Sequence, residues 1–271
     1  MRIRRFSLWC VAFLAYGTVL SFCGPAPARA DLNQGLVAHW DFDEGQGVIV
    51  HDISQHGADG YNEGGQWVAG CTGTALDLLD TDYVSVPARY DDGMSDAFSI
   101  SLWVYWHGPG SGPNACYIFD SRCAGGGALR YGFYTGLDRN THKVWIQTLC
   151  GLDSDAVSVQ SNSQIPSEEW SHIAAVLDPE TALLSLYVNG GLENAVPHAR
   201  SYCPTYDSPA MGNNHWAPGD QRWAPLNGRL DEFRIYGRAL SLDEVRELAS
   251  ACGSPVPVEA LDWGRIKRMY R

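Results

Sequence analysis

Between Leu36 and Leu248 the chain is a succession of short apolar or alternating runs separated by Gly, Asp, Asn and Pro, and this spacing constrains the fold more than any other feature. The runs Gly35 to Phe42, Ala75 to Leu79, Tyr83 to Val86, Phe98 to Trp106, Leu129 to Thr135, Lys143 to Cys150, Trp170 to Leu177, Leu183 to Val188 and Leu230 to Tyr236 read as strands. With no long helical period between them, they predict an all-β, antiparallel two-sheet sandwich. Ile100, Leu102 and Val104 alternate with Ser99, Ser101 and Trp103, which puts Trp103 on the face opposite the apolar one. Val188-Asn-Gly-Gly191 signals a hairpin, because Asn-Gly accepts the positive φ angles of a tight turn.

The last run, with Leu230, Phe233 and Ile235 in imperfect alternation, leads through a short turn into one helix. Ser241 followed three residues later by Glu244 is a capping box, since hydroxyl and carboxylate satisfy N–H groups that the first turn leaves unpaired. Leu242, Val245, Leu248 and Ala249 recur at helical spacing.

The closing run Gly228-Arg-Leu-Asp-Glu-Phe-Arg-Ile-Tyr-Gly-Arg-Ala-Leu-Ser resembles the final strand and helix of laminin-G-like, concanavalin-A-like jelly-roll domains of secreted bacterial proteins. Gly35-Leu-Val-Ala-His-Trp-Asp-Phe-Asp-Glu-Gly45, Phe98-Ser-Ile-Ser-Leu-Trp-Val104, and Trp170-Ser-His-Ile-Ala-Ala-Val176 with Leu186-Tyr-Val-Asn-Gly190 resemble the same family in the expected order. The resemblance implies a jelly roll with one short C-terminal helix over residues 31–252, but a fold does not fix a function.

Arg2, Arg4 and Arg5, an apolar run from Phe6 to Phe22, and Ala28-Arg-Ala30 make the n-region, h-region and cleavage site of a secretory signal peptide over residues 1–30. The alternative, an N-terminal membrane anchor, needs about 18 clean apolar residues. Residues 253–271 read as a Pro-containing linker and a basic tail. The localisation expected is secreted, at the cell surface or extracellular, with the periplasm as an alternative. A net charge of −12 argues against a nucleic-acid backbone as partner.

Six cysteines follow the leader: Cys71, Cys116, Cys123, Cys150, Cys203 and Cys252. In an exported chain they imply up to three disulfides, with Cys116 and Cys123 expected to close a local loop.

Glycan hydrolases on this sandwich carry a Glu-x-Asp-x-Glu strand, and the sequence has no such run, nor G-x-S-x-G or H-E-x-x-H. The expectation is therefore a binding module without catalytic residues. Acidic loops suit a structural Ca2+. In the resembling family the segment after the first strand is rich in Asp and Asn; here it stands as Asp52-Ile-Ser-Gln-His-Gly-Ala-Asp-Gly60, and Asp52 and Asp231 are the expected ligands. The alternative for both is turn-stabilising hydrogen bonding.

The long irregular stretch from Gly212 to Pro225 collects Asn213, Asn214, His215, Trp216, Asp220 and Trp223, which pair flat aromatic faces with planar polar groups as sugar recognition requires. Trp40, Trp103, Trp145 and Trp170 lie in strands and are expected to pack the core or the sheets. Tyr131 and Tyr134 fall on opposite faces by parity. The function expected is recognition of carbohydrate or glycan at a cell surface or in matrix. The alternatives are an adhesive protein-protein domain and, more remotely, a divergent glycoside hydrolase or polysaccharide lyase.

Overall fold

The structure, a computed structural model, describes residues 31–252 apart from 89, 91–93, 95, 110–114, 125–128, 153–154, 199–201, 204–208 and 215–223. The expected leader and basic tail lie outside the described residues.

Leu36–Trp40 (β1), Ile49–Val50 (β2), Gly60–Glu63 (β3), Gln66–Ala69 (β4), Thr74–Leu78 (β5) and Tyr83–Ser85 (β6) precede Phe98–Trp106 (β7), Ala115–Asp120 (β8) and Cys123–Ala124 (β9). Leu129–Asp138 (β10), Val144–Leu152 (β11), Val157–Gln160 (β12), Trp170–Asp178 (β13) and Leu183–Val188 (β14) follow. Gly191–Pro197 (β15), Ala210–Met211 (β16), Gly228–Tyr236 (β17) and the helix Leu242–Ala249 (α1) complete the order. One sheet has eight strands in the order β15-β14-β13-β7-β17-β5-β4, with β1 also on β17. The other has nine, in the order β12-β11-β10-β8-β16-β6-β3-β2, with β9 also on β10. All pairings are antiparallel, so the chain is the jelly-roll sandwich that its run pattern predicts.

Aromatic rings fill the space between the sheets. Phe133 stacks on Phe98 and on Phe119 with centroids 5.0 Å apart in each pair, and Phe233 meets Phe119 at 5.2 Å and Trp40 at 5.7 Å. The imperfect alternation in β17 is a bulge at Glu232, whose φ of 54° lets Leu230 and Phe233 both face the core. Asn189 and Gly190 have φ of 50° and 77°, the turn expected between β14 and β15. The capping box of α1 is formed in full.

The outer face of the eight-stranded sheet is less open than alternation suggests. Val245 and Leu248 of α1 pack on Ala174, Val176 and Tyr236, while Ser99 Oγ donates to Arg238 O and accepts from Leu240 N–H. Trp103 does face outward, yet it is buried between its cross-strand neighbours His172 and Asp231.

The cysteine pairing differs from expectation. Cys71 bonds Cys252 and Cys150 bonds Cys203, while Cys116 is a free thiol in the core, its pKa pushed up by burial. Register explains why it cannot pair with Cys123: the two stand opposite Leu137 and Tyr131 of β10. Six residues at about 3.4 Å each separate them by roughly 20 Å, against a disulfide limit near 7 Å between Cα atoms.

Candidate functional site

The Gly212–Pro225 stretch is anchored at both ends on the nine-stranded sheet. Gly212 N–H donates to Ile118 O at its start, and Ala224 O accepts from Tyr117 N–H at its return. Of the residues expected there to bind a ligand, Asn213 is buried and its Oδ1 accepts from Asn214 N–H at 2.8 Å. Asn214 reaches Arg122, as described below, whereas His215, Trp216, Asp220 and Trp223 lie outside the described residues.

Beside this anchor the outer face of the sheet carries two cross-strand rows. Trp145, Gly136 and Tyr117 form one across β11, β10 and β8, and Gln147, Tyr134 and Asp120 form the other. Val144 and Ile146 point into the core, so strand parity sends Trp145 and Gln147 outward. The Trp145 ring stands edge-on to Tyr117 and Tyr134, with centroids 5.5 and 5.2 Å away, and the tyrosine rings stack at 5.9 Å. Trp145 is therefore a half-buried surface residue rather than the packing residue expected from its place in a strand. Gly136 makes room for it: a Cβ there would lie 2.9 Å from Trp145 Cζ2 and would strike Cys116 O. Gly136→Ala is expected to cost about 1–3 kcal/mol of stability in urea unfolding, and wild-type stability would contradict the close approach.

Arg122 lies over both tyrosines, its Cζ 4.1 Å from the Tyr134 centroid and 5.2 Å from that of Tyr117. Buried Asp120 fixes it in a fork, with Nε to Oδ1 at 2.8 Å and Nη2 to Oδ2 at 2.7 Å, and Nη2 also donates to Asn214 Oδ1 at 3.3 Å. Burial alone would lower the Arg122 pKa, but the Asp120 pair outweighs it and holds the guanidinium above its ordinary value. Burial pushes Tyr134 up to about 12 against the pull of Arg122, which keeps its hydroxyl protonated as it donates to Gln147 Oε1. The platform thus offers flat rings, an amide and a cation whose charge is balanced. Trp145, Tyr117 and the Asp120–Arg122 pair were missed in the sequence, although the Val144-Trp-Ile-Gln147 alternation carried the signal for Trp145.

The two expected calcium ligands hold separate turns. Asp52 Oδ1 accepts from the N–H groups of His39 and Ser54, both at 2.9 Å, and Oδ2 from Ala58 N–H at 3.0 Å. Burial would raise its pKa, but these bonds and the Ser54 hydroxyl outweigh burial and lower it. Asp231 Oδ2 accepts from Thr72 N–H at 3.0 Å, and among the described residues Oδ1 has no hydrogen-bond partner. Among the described residues no three His, Cys, Asp or Glu side chains gather as metal ligands.

Ser101 Oγ lies 2.8 Å from His172 Nε2, but both are buried, and among the described residues Nδ1 of His172 meets no hydrogen-bond partner. Burial depresses His172 to about 3. The pair is closed off from substrate, and among the described residues no third group orients the imidazole as a catalytic base requires.

Two antiparallel sheets of eight and nine strands packed over one aromatic core define the class of jelly-roll β-sandwiches. The chain belongs to the concanavalin A-like lectin/glucanases superfamily, whose laminin-G-like model matches residues 79–246. Among solved structures it is similar to domain 4 of AbnA, an extracellular arabinanase from Geobacillus stearothermophilus determined in complex with arabinotriose. Identity there is 23%, with 79% of this chain and 98% of that one covered and a TM-score of 0.58. It is also similar to the binding domain of botulinum neurotoxin DC in complex with SialylT, at 14% identity and a TM-score of 0.61 over 81% of this chain. The binding domain of Paraclostridial Mosquitocidal Protein 1 matches at 16% identity over 81% of this chain with a TM-score of 0.60. The matched region covers 52% of each toxin domain, and at these identities the likeness is one of fold. No curated protein matches the chain.

Proposed function

We propose that the protein is an exported, non-catalytic carbohydrate-binding module that holds a glycan on the outer face of its nine-stranded sheet. The observation carrying this reading is the double row of Tyr117, Tyr134, Trp145 and Gln147 with Arg122 fixed by Asp120. Flat rings suit the C–H face of a sugar, while guanidinium and amide exchange hydrogen bonds with its hydroxyls. Asp120 is committed to Arg122, and among the described residues of this platform no second carboxylate stands across from it, as glycoside hydrolysis would require. Two disulfides suit an oxidising, extracytoplasmic compartment. Domain 4 of the arabinanase, seen with arabinotriose, offers a precedent for sugar binding on this fold.

The test is a printed array of neutral and acidic glycans probed with wild type and Trp145→Ala. Wild type should bind one glycan class, and the variant should lose about tenfold or more in affinity while keeping its far-ultraviolet circular dichroism. A folded wild type that binds no glycan, yet retains a protein partner, would replace this reading with the adhesive one.

A further inference from the structure

The opposite sheet carries a second constellation of the same chemistry. Register places Trp170, Tyr105, Arg229, Asp77 and Gln66 in one continuous row across β13, β7, β17, β5 and β4. Each is half-buried or exposed, unlike the buried row of His172, Trp103 and Asp231 two positions along the same strands. Four steps of about 4.8 Å make the row roughly 19 Å long.

Its parts repeat those of the first platform. Arg229 Cζ sits 4.7 Å from the Tyr105 centroid, as Arg122 sits over Tyr134, and Trp170 stands edge-on to Tyr105 at 5.5 Å, as Trp145 does to its tyrosines. Asp77 faces Arg229 at 3.5 Å and His107 Nε2 at 2.8 Å. The Tyr105 hydroxyl donates to Glu168 Oε2 at 3.0 Å, and Glu168 holds a left-handed φ of 62°, a conformation that surrounding structure must maintain. Among the described residues the buried Nε of Arg229 has no hydrogen bond and is turned toward Asp77 Oδ2, so the cation is held in the row by ion pairing and by the Tyr105 ring. The carboxylates of Asp77 and Glu168 outnumber the one guanidinium, Arg229, leaving no surplus positive charge to attract an anionic polymer.

We propose that this row is a second, extended binding strip for a neutral, linear oligosaccharide, so that the module engages glycan on both faces of the sandwich. The ligand class rests on the function proposed above, whereas the position of the strip is independent of it.

The array of neutral and acidic glycans separates the two, probed with the whole protein as wild type, Trp145→Ala, Trp170→Ala and Gln66→Ala. Trp170→Ala should reduce binding to longer neutral glycans about tenfold while leaving the shortest ones that wild type binds unaffected. Gln66→Ala, at the exposed end of the row, should reduce the same signals severalfold and decides the matter if Trp170→Ala does not fold. If Trp145→Ala abolishes binding while the strip variants bind like wild type, the second strip fails and the first platform stands. If only the strip variants lose binding, the first platform fails instead. Binding of acidic glycans through Trp170, or a wild type that binds a protein and no glycan, overturns the strip.

Discussion

Replacing Cys71 and Cys252 together by serine should lower the thermal midpoint by roughly 10–20 °C. The bridge spans 181 residues, from the β4–β5 turn to just past the end of α1, and so encloses every strand from β5 to β17. In the chain-entropy treatment such a closure contributes about 5 kcal/mol by restricting the unfolded chain. It also fastens α1, whose Val245 and Leu248 cover the outer face of the eight-stranded sheet. The Cys150–Cys203 bridge spans 53 residues, and because the effect grows only logarithmically its loss should cost about 4 kcal/mol, nearly as much. Differential scanning calorimetry of the double-serine variant, with the wild type scanned in reductant beside it, checks the value. A fall of only a degree or two would mean that the turn and helix are held by packing alone.

What was legible in the chain was the local order. Strand runs, the Asn189-Gly190 turn and the Ser241 and Glu244 capping box depend on neighbours a few residues away, and each forms as read. The bulge at Glu232 was visible too, as the slip between Leu230 and Phe233. What was not legible depends on which strands lie side by side. Tyr117 and Asp120 sit on β8, a strand absent from the runs because it follows the Gly- and Pro-rich stretch after His107. Their partners Tyr134 and Gln147 come from β10 and β11, and only cross-strand register brings the set together. The disulfides fail to be legible for the same reason. Trp170 repeats the lesson of Trp145: its strand was read correctly, but its half-exposed place beside Tyr105 rests on the pairing of β13 with β7.

Asp231→Asn is expected to stabilise the protein above neutral pH, an unusual outcome for removing a buried charge-bearing group. Asp231 is fully buried, and burial, helped by the nearby carboxylates of Glu232 and Asp43, raises its pKa to about 8 despite the N–H groups of Thr72 and Cys71. In the unfolded chain the same carboxyl titrates near 3.9. Below pH 4 both states hold the proton and the group has no pH-dependent effect. Between about pH 4 and pH 8 the unfolded chain releases it while the fold keeps it, so stability falls by about 1.4 kcal/mol for each pH unit. Above pH 8 the penalty is complete. Asparagine keeps the shape and the acceptor for Thr72 N–H, and it carries no proton to lose. Thermal midpoints of wild type and variant should therefore meet near pH 4 and diverge as the pH rises, with the variant about 10–20 °C higher at pH 9. Two parallel curves over that range would show that the carboxyl is not held protonated by the fold. Gly70 leaves little room for an alternative, since a Cβ there would stand 2.6 Å from Asp231 Oδ2. The turn that carries Cys71 is thus pressed directly against the carboxyl. Breaking the Cys71–Cys252 bridge should loosen that turn, admit water to Asp231 and flatten the pH dependence of the wild type toward that of the variant.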